Sequence, residues 1–515
     1  MEQRSGVMSS IPTRGLRAIH SNAFCVAASI PTGHYSCCYM SMHRAYRRFV
    51  LGLAGLLLGV FNLGPVEAAT RTNFMPARFI RPADKPNIIF ILADDLGYGD
   101  LGCFGQKKIK TPNIDQLAAE GIRFTSAYAG STVCAPSRAA LMTGLHTGHT
   151  RIRGNAKVPL EAEDLTVAEA LKKAGYQTGI FGKWGLGLEG TAGTPNKKGF
   201  DEWFGFLDQT LAHNYYPERL WRNETILELP ANADKKKGAY VQDMFTTAAV
   251  NYIRLQQYQP FFLYLSYTIP HANNELTRAT TNGMEVPGDQ PYSAEKWPQA
   301  EKNKAAMITR LDADVGKILA AIKQFKLETN TVIFFTSDNG PHKEGGNDPG
   351  FFDSAGPFRG IKRDLYEGGI RVPMIARWTG HIAPGQTNDL PWAFWDFFPT
   401  AAELAGSPIP LHTDGMSVLP TLLGKPKEQK RHEFLYWEFH EGGSKQAVRN
   451  GNWKAVRLAP GQALELYDLA TDPGETKNVA ANNQAVVALI ENYLKTARTE
   501  SKQWPLAEAK KKAEK

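Results

Sequence analysis

The chain has 515 residues, of which 43% are hydrophobic and 21% are charged, a composition typical of a soluble globular protein with room for one large domain and a smaller one. The formal charge is +8, but residues 1–68 contain six arginines and only two acidic residues, so the charge without that segment is about +4. This balance gives no indication of a nucleic-acid partner.

Residues 42–68 have a basic run, an apolar block and a small-residue end. This order is typical of a signal peptide cleaved near Ala68, and it predicts an exported protein, periplasmic or secreted. A membrane anchor is the alternative, but the apolar block at 49–61 is shorter than the roughly 20 residues that a membrane span needs, so we expect no stable membrane insertion. Twin-arginine export and ordinary secretion both fit Arg47-Arg48. Residues 1–41 are expected to be an unstructured upstream extension.

Only two of the five cysteines, Cys103 and Cys134, follow the predicted signal peptide. An exported chain with two cysteines is not a disulfide scaffold. We therefore expect that any special role of a cysteine in this chain is chemical.

The first buried strand is predicted at residues 88–93, an apolar run followed directly by Asp94 and Asp95. Open α/β sheets bind their ligands at the carboxyl ends of the strands. Two adjacent carboxylates repel each other there unless a cation neutralises them. A metal site and a turn with solvated acids are the two interpretations of this segment.

The segment Cys134-Ala135-Pro136-Ser137-Arg138 lies where a loop is expected to turn into a helix. Pro136 fits a first helical turn, and Arg138 would lie one turn above Cys134 on the same face. The free N–H groups of that turn would then attract an anion beside Cys134. The alternative is a buried and inert cysteine, which is the commoner role of a lone cysteine.

Strands and helices alternate along the chain, which is typical of a doubly wound sheet. Strands are predicted at 88–93, 122–128, 177–181, 260–266 and 332–337, and helices at 112–120, 165–174 and 302–325. We therefore predict an α/β fold with a large, mostly parallel sheet flanked by helices, over a domain of residues 69–425. Residues 426–515 are predicted to form a small antiparallel sheet plus one helix, with strands at 433–439, 446–448, 453–457 and 464–467 and the helix at 485–499.

Further polar residues follow the predicted strands. Lys183 lies in a glycine-rich turn, His271 follows the strand at 260–266, and Asp338-Asn339 follow the strand at 332–337. Because the carboxyl ends of parallel strands meet at one edge of a sheet, these residues are expected to form one site with Asp94 and Asp95. The carboxylate and amide oxygens among them suit a hard cation.

Aromatic residues are concentrated at 199–229. Aromatic rings interleaved with amides and a histidine are compatible with a sugar-binding wall and equally with a buried aromatic cluster. The sequence leaves both interpretations open.

Together these motifs resemble the formylglycine-dependent sulfatase family of the alkaline phosphatase superfamily, from about Lys85 to Ala480. The segment from Cys134 to Arg138 matches the signature that directs oxidation of the cysteine to formylglycine. The resemblance implies sulfate monoester hydrolysis, with a formylglycine hydrate as nucleophile and an accessory formylglycine-generating enzyme as maturation partner. It implies a Ca²⁺ ion whose ligands are Asp94, Asp95, Asp338, Asn339 and the modified residue 134.

The resemblance also assigns catalytic roles. Arg138 would stabilise the hydrate, Lys183 and Lys362 would bind sulfate oxygens, and His271 would be the general acid for the leaving alcohol. Many family members have a histidine two residues after the lysine, where this chain has Gly185. We hypothesise that His213 or another group replaces that histidine.

The sequence around 213–221 and 439–449 resembles that of bacterial polysaccharide sulfatases, which implies a sulfated carbohydrate as substrate. The expected substrate-binding residues are His213, Trp221, Arg222, His342, His440 and Lys445. Two alternatives are a phosphoester hydrolase of the same superfamily, which would need further metal ligands, and a non-catalytic protein that binds sulfated glycans and keeps Cys134 unmodified.

Overall fold

The structure is a computed structural model that describes residues 85–507. The predicted upstream extension and signal peptide lie outside the described residues. Within residues 85–507, no helix has the length and hydrophobicity of a membrane span.

The described residues form sixteen strands and ten α-helices. The strands in chain order are β1 (Asn87–Ala93), β2 (Ile122–Phe124), β3 (Ala127–Tyr128), β4 (Gln177–Lys183), β5 (Glu202–Phe206), β6 (Arg219–Arg222), β7 (Thr225–Glu228), β8 (Phe261–Ser266), β9 (Thr331–Ser337), β10 (Met374–Arg377), β11 (Gln386–Asn388), β12 (Trp392–Ala393), β13 (Leu435–Phe439), β14 (Lys445–Asn450), β15 (Trp453–Arg457) and β16 (Glu465–Asp468). The helices are α1 (Pro112–Ala119), α2 (Cys134–Thr143), α3 (Val167–Lys173), α4 (Val241–Gln256), α5 (Asn274–Thr280), α6 (Gln299–Gln324), α7 (Glu367–Ile370), α8 (Phe397–Leu404), α9 (Leu419–Leu422) and α10 (Gln484–Leu494).

The main sheet has ten strands in the order β11-β2-β10-β9-β1-β8-β4-β5-β6-β7. The five central strands from β9 to β5 are parallel, and β10, β6 and β7 add antiparallel pairs toward the two edges. The predicted mostly parallel sheet is confirmed for this centre. The central strands carry apolar residues on both faces because helices cover both sides of the sheet.

Alternate residues of β1 contribute to the two hydrophobic cores. Phe90 and Leu92 pack on one side of the sheet, in the core that includes residues of α2, α3 and α8. Ile89 and Ile91 pack on the other side, with α1, α4 and α6. This alternation follows from the period of two along a strand, and it fixes which side of the sheet carries the Cys134 helix.

The structure differs from the sequence-based elements in several places, and α4, α8 and β10 were not predicted. Residues 122–128 form two short strands, β2 and β3, which belong to different sheets, and not one strand. The aromatic segment at 199–229 contributes β5, β6 and β7 to the main sheet, and its rings Phe200, Trp203 and Phe204 are buried. The interpretation as a buried aromatic cluster therefore holds for these three residues.

The strands β13 to β16 form a separate antiparallel sheet in chain order, as predicted. This sheet packs behind α2, because Trp437 lies in one hydrophobic cluster with Val133 and Ala140. The indole of Trp437 also donates a hydrogen bond to the carbonyl oxygen of Ala129, at 2.9 Å. The small sheet thus supports the loop and helix that carry Cys134.

A buried ion cluster joins the small sheet to α7. The ammonium of Lys454 lies 2.9 Å from a carboxylate oxygen of Glu367 and 3.3 Å from one of Glu475, and all three side chains are fully buried. Burial raises the pKa of Glu475 to about 7. Burial would also raise the pKa of Glu367, but Lys454 and Arg371 hold it at about 2.

We predict that Lys454→Met lowers the free energy of unfolding by about 3–5 kcal/mol, because it leaves two buried carboxylates without their shared cation. The pKa of Glu475 is higher in the folded state than its ordinary value of 4.5. Its ionisation therefore costs stability as the pH rises from about 4.5 to 7, and the loss in the variant should be larger at pH 8 than at pH 5. Urea unfolding at both pH values measures this.

The matched control is Lys477→Met, since Lys477 is an exposed lysine of the same part of the chain. It should change the free energy of unfolding by less than about 0.5 kcal/mol. Equal effects of the two substitutions would contradict the prediction.

Candidate active site

The strand register brings the predicted site residues to one edge of the sheet. Ala93 of β1 pairs with Ser337 of β9, so the residues that follow, Asp94 and Asp338, leave the sheet side by side. The amide of Asp95 donates a hydrogen bond to Asp338 Oδ1 at 3.0 Å. Asp95 has a φ of +67°, a conformation that is uncommon outside glycine and clusters at functional sites.

Cys134 is the first residue of α2, as the sequence predicted. Its thiol is 2% exposed and lies 3.3 Å from Asp94 Oδ1. The first-turn amide of Ala135 donates to the side-chain oxygen of Asn155 at 2.9 Å, so Asn155 caps this end of the helix. Burial, followed by the charge of Asp94, raises the pKa of the Cys134 thiol well above its usual range.

Three buried cations face the three carboxylates. Lys183 Nζ lies 2.7 Å from Asp94, and Lys362 Nζ lies 2.8 Å from Asp95. The guanidinium of Arg138 contacts Asp338 at 2.7 Å and Asp94 at 3.3 Å. The cluster therefore has as many positive as negative side chains, and each side chain is nearly inaccessible to solvent.

The protonation of these acids depends on the cations around them. Burial alone would raise the pKa of Asp94, but Lys183 and Arg138 hold it well below its usual range. Burial and the nearby charge of Asp94 raise the pKa of Asp338 to about 7. Such opposite shifts in neighbouring acids are typical of functional sites.

The oxygen donors of the site fit a hard divalent cation. Asp94, Asp95 and Asp338 supply carboxylates, and Oδ1 of Asn339 is buried without a hydrogen-bond partner among the described residues. The amide group of Asn339 meanwhile donates to Asp95 Oδ1 at 2.7 Å. Buried polar atoms normally have a partner, so this orphaned oxygen, next to three carboxylates, matches the ligand set that Ca²⁺ prefers.

His271 lies at the centre of a stack of histidines. Its ring is parallel to that of His213 at 4.5 Å between centroids, and it lies 5.8 Å from the ring of His342. Nδ1 of His271 is 2.7 Å from the carbonyl oxygen of Ala272, and its Nε2 is 3.1 Å from Nζ of Lys362. Because only a protonated Nδ1 can pair with a carbonyl, Nε2 accepts the hydrogen bond from the lysine.

The expected substrate-binding residues are divided among several places. His213 and His342 flank His271, and Nζ of Lys445 is 3.4 Å from the backbone oxygen of Arg363, next to Lys362. His440 is 2.9 Å from Glu438 through Nε2 and 3.1 Å from Ser444 through Nδ1. Both ring nitrogens of His440 are therefore engaged within the protein.

Trp221 and Arg222 lie on β6, two strands away from Lys183 in the sheet. Arg222 is 61% exposed and pairs with Glu202 at 3.1 Å. Trp221 is partly buried against the core on the Cys134 side of the sheet. The structure therefore does not bring these two residues into the buried cluster of acids and cations.

Gly185 has a φ of +74°, in the left-handed region that disfavours a side chain. A Cβ atom at this position would lie 2.0 Å from Nε2 of Gln209. A side chain at this position could not be accommodated without displacing Gln209. His213 stacks on His271, and the hypothesis that it replaces the missing histidine stays a prediction.

Three residues that the sequence did not single out support the site. Ser266, the last residue of β8, contacts the guanidinium of Arg138 and donates to the carbonyl oxygen of Lys183 at 2.5 Å. The hydroxyl of Tyr215 contacts the backbone oxygens of Thr268 and His271, at 2.7 and 2.5 Å. Asn155 caps α2. Only Ser266 had a sequence signal, its position at the end of a predicted strand.

Comparisons with known proteins agree with this arrangement. A family model described as "Sulfatase" matches residues 86–407. A second, described as "N-sulphoglucosamine sulphohydrolase, C-terminal", matches residues 355–502. Between them the two matches span nearly all of the described residues.

Individual relatives are similar over most of their length. The chain is 35% identical to human arylsulfatase A over 77% of this chain and 84% of that protein. It is 30% identical to an N-acetylgalactosamine-6-O-sulfatase of Bacteroides thetaiotaomicron, over 81% and 94%. The crystal structure of Ps i-CgsB in complex with k-i-k-neocarrahexaose aligns with a TM-score of 0.71 and 30% identity, over 83% of this chain and 95% of that one. The chain therefore belongs to the sulfatase family, and it is a hydrolase of sulfate esters.

Proposed function

We propose that this sulfatase removes sulfate from a sulfated carbohydrate, with Cys134 converted to formylglycine and Ca²⁺ held by Asp94, Asp95, Asp338 and Asn339. The observation that carries the proposal is the placement of Cys134, at the start of α2, against three carboxylates and three cations. The carbohydrate is supported by two relatives, one named for N-acetylgalactosamine 6-sulfate and one solved with a carrageenan hexasaccharide.

Conversion to formylglycine replaces the CH₂–SH of the cysteine by an aldehyde: the carbon gains an oxygen atom, the sulfur leaves as hydrogen sulfide, and two electrons pass to an external oxidant. We assign this step, and the supply of the oxidant, to an accessory maturation enzyme. Formylglycine supplies its hydrate as the nucleophile, which divides the displacement at sulfur into two easier steps. Asp94, Asp95, Asp338 and Asn339 would hold Ca²⁺, which would supply electrostatic stabilisation of negative charge at the sulfate.

The side chains of the site supply the remaining functions. Carboxylates that ligate a cation no longer need Lys183 and Lys362 as their partners, so both ammonium groups become available to the sulfate oxygens. Arg138 remains bound to Asp338 by two hydrogen bonds, at 2.7 and 3.0 Å, and orients the nucleophile. The proton for the leaving alcohol is shared between Nε2 of His271 and Nζ of Lys362. This pair can donate it to the alcohol oxygen by general acid catalysis.

Export through the predicted signal peptide is part of the proposal. It is supported by the basic run, the apolar block and the small-residue end in residues 42–68. Determination of the amino-terminal residue of the mature protein from its native host would test cleavage near Ala68.

We predict that the tryptic peptide of residues 124–138 from the active protein is about 18 Da lighter than its sequence requires, because an aldehyde nucleophile replaces the thiol. Mass spectrometry measures this, and the peptide with Cys103 in the same digest is the matched control without a mass change. Cys134→Ser should lower kcat by about 10³-fold or more. An unmodified Cys134 in fully active enzyme would overturn the proposed chemistry.

We predict that Ca²⁺ raises the melting temperature of the protein after treatment with a chelator. The ion binds the folded carboxylate cluster and not the unfolded chain. Asn339→Ala should raise the half-saturating Ca²⁺ concentration about tenfold or more, because the ion loses one oxygen ligand. Thermal unfolding in a Ca²⁺ titration measures both, independently of activity. Asn330→Ala, which changes an asparagine before β9, is the control, and an equal response of the two variants would contradict the assignment.

We predict that His213 acts by holding the ring of His271. His213→Ala should lower kcat about five- to tenfold, in keeping with the energy of one aromatic pair. His213→Phe, which retains a stacking ring, should stay within about twofold of the wild type. Rates with 4-nitrophenyl sulfate measure this. If alanine leaves kcat unchanged, or if phenylalanine is as harmful as alanine, stacking is not the role of His213.

A further inference from the structure

Gly185 opens onto a surface furrow that no residue role described so far explains. The inner part of the furrow is a depression of about 60 Å³, lined by Asn155, Lys157, Gly185, Leu188, Leu207 and Gln209. The outer part is a depression of about 200 Å³, lined by Glu189, Thr194, Lys197, Leu207, Trp221 and Glu224. Leu207 lines both parts, and Leu188 of the inner part precedes Glu189 of the outer part, so the two depressions adjoin each other.

The inner end of the furrow adjoins the buried cluster. Asn155 accepts the hydrogen bond from the amide of Ala135, the residue after Cys134. Gly185 lies two residues after Lys183, and its amide donates to the carbonyl oxygen of Leu207 at 3.3 Å. The furrow therefore begins beside the position where the sulfate ester is expected to bind.

Because residue 185 has no side chain, Gln209 forms part of the furrow wall. Since a Cβ there would collide with Nε2 of Gln209, the amide of Gln209 borders the furrow, 3.4 Å from the carbonyl oxygen of Gly185. The inner depression therefore has the amide of Gln209, and no side chain of residue 185, as part of its wall.

The sheet register gives the distance from the end of β4, the strand that carries Lys183, to Trp221. Gly182 of β4 pairs with Gly205 of β5, which in turn pairs with Trp221 of β6. Two strand spacings place the Cα atom of Trp221 roughly 10 Å from that of Gly182. This distance is on the scale of a disaccharide.

We propose that the furrow binds the sugars adjacent to the sulfated sugar, with Trp221 as the outer stacking platform and Gln209 and Asn155 as inner hydrogen-bonding groups. This inference rests on the proposed function and deepens it: the preferred substrate is an oligosaccharide or polymer, and not a monosaccharide sulfate. Amide side chains with one partly exposed aromatic ring suit sugars, which have apolar faces and many hydroxyl groups.

The charges along the furrow agree with a sugar ligand. Two lysines, Lys157 and Lys197, lie among three acids, Glu189, Glu224 and Asp208, and Lys157 lies 3.8 Å from Asp208. A groove with one more acid than lysine does not attract a highly charged anion by its field. Recognition there would come from hydroxyl contacts and stacking, while the sulfate is bound by Lys183 and Lys362.

The test compares substrates of different length. The rates of wild-type enzyme and variants are measured with 4-nitrophenyl sulfate, with N-acetylgalactosamine 6-sulfate, and with hexasaccharides of chondroitin 6-sulfate and of carrageenan. Wild-type enzyme should have a kcat/KM for one of the hexasaccharides about tenfold or more above that for the monosaccharide. Trp221→Ala should raise KM for that hexasaccharide about five- to tenfold relative to KM for 4-nitrophenyl sulfate.

Two controls separate binding from folding. Trp221→Phe retains an aromatic platform and should restore most of the hexasaccharide affinity, and Tyr258→Ala removes an aromatic ring that is 63% exposed at the end of α4 and should leave every KM at its wild-type value. If Trp221→Ala does not fold, Gln209→Ala replaces it. This variant should also raise KM for the hexasaccharide relative to KM for 4-nitrophenyl sulfate.

The inference is overturned if the ratio of the two KM values is the same in the wild type and in Trp221→Ala or Gln209→Ala. It is also overturned if the wild type hydrolyses 4-nitrophenyl sulfate but neither hexasaccharide, or hydrolyses monosaccharide and hexasaccharide equally well. Failure of the wild type on every sulfate ester would instead overturn the proposed function, and with it the inference.

Discussion

Three carboxylates that are buried at one point of the protein can coexist only because three cations lie against them. Asp94, Asp95 and Asp338 each contact an ammonium or guanidinium group within 3.3 Å. Burial of any one of these charges without its partner would cost several kcal/mol. The parallel register of β1 and β9 brings the acids together. Arg138 of helix α2 and Lys362 in its loop lie close enough to neutralise them.

The rest of the described fold supports this cluster of carboxylates and cations. Helices on both faces make the central strands inaccessible to water, which strengthens the electrostatic interactions at the strand ends. The small antiparallel sheet supports α2 from behind through Trp437, and the buried ion cluster of Lys454 ties the sheet to α7. The unpartnered Oδ1 of Asn339 and the three carboxylates suit a cation, and the three cationic side chains suit an anion.

Much of this could be predicted from the sequence, for identifiable reasons. Apolar runs of strand length located β1, β4, β8 and β9 because buried parallel strands lack alternation, and the polar residues directly after them could be assigned to one edge. The start of α2 was predictable from Pro136. In contrast, β6 and β7 have only four residues each, with two apolar residues at the centre, so neither periodicity nor length marked them. The apolar pattern at 122–128 indicated a strand, but it did not show that this strand is divided between two sheets.

Side-chain partners at long sequence separation were the part that the sequence could not provide. His440 has the residue type of a ligand-binding group, but its ring nitrogens contact Glu438 and Ser444, which only the fold reveals. The same holds for Gln209, whose amide lies where a side chain at position 185 would be. Gly185 was visible as a departure from the pattern that the resemblance implies, whereas its contact with Gln209 depends on a loop more than twenty residues away.

The burial of Cys134 also has a consequence for the order of events in the life of the chain. Its thiol is 2% exposed, and the residues around it, from Val133 to Thr143, are all buried. An accessory enzyme has no path to this side chain once α2 has docked on the sheet. The proposed oxidation would therefore precede folding, and the time between synthesis and folding would be the interval in which this modification takes place.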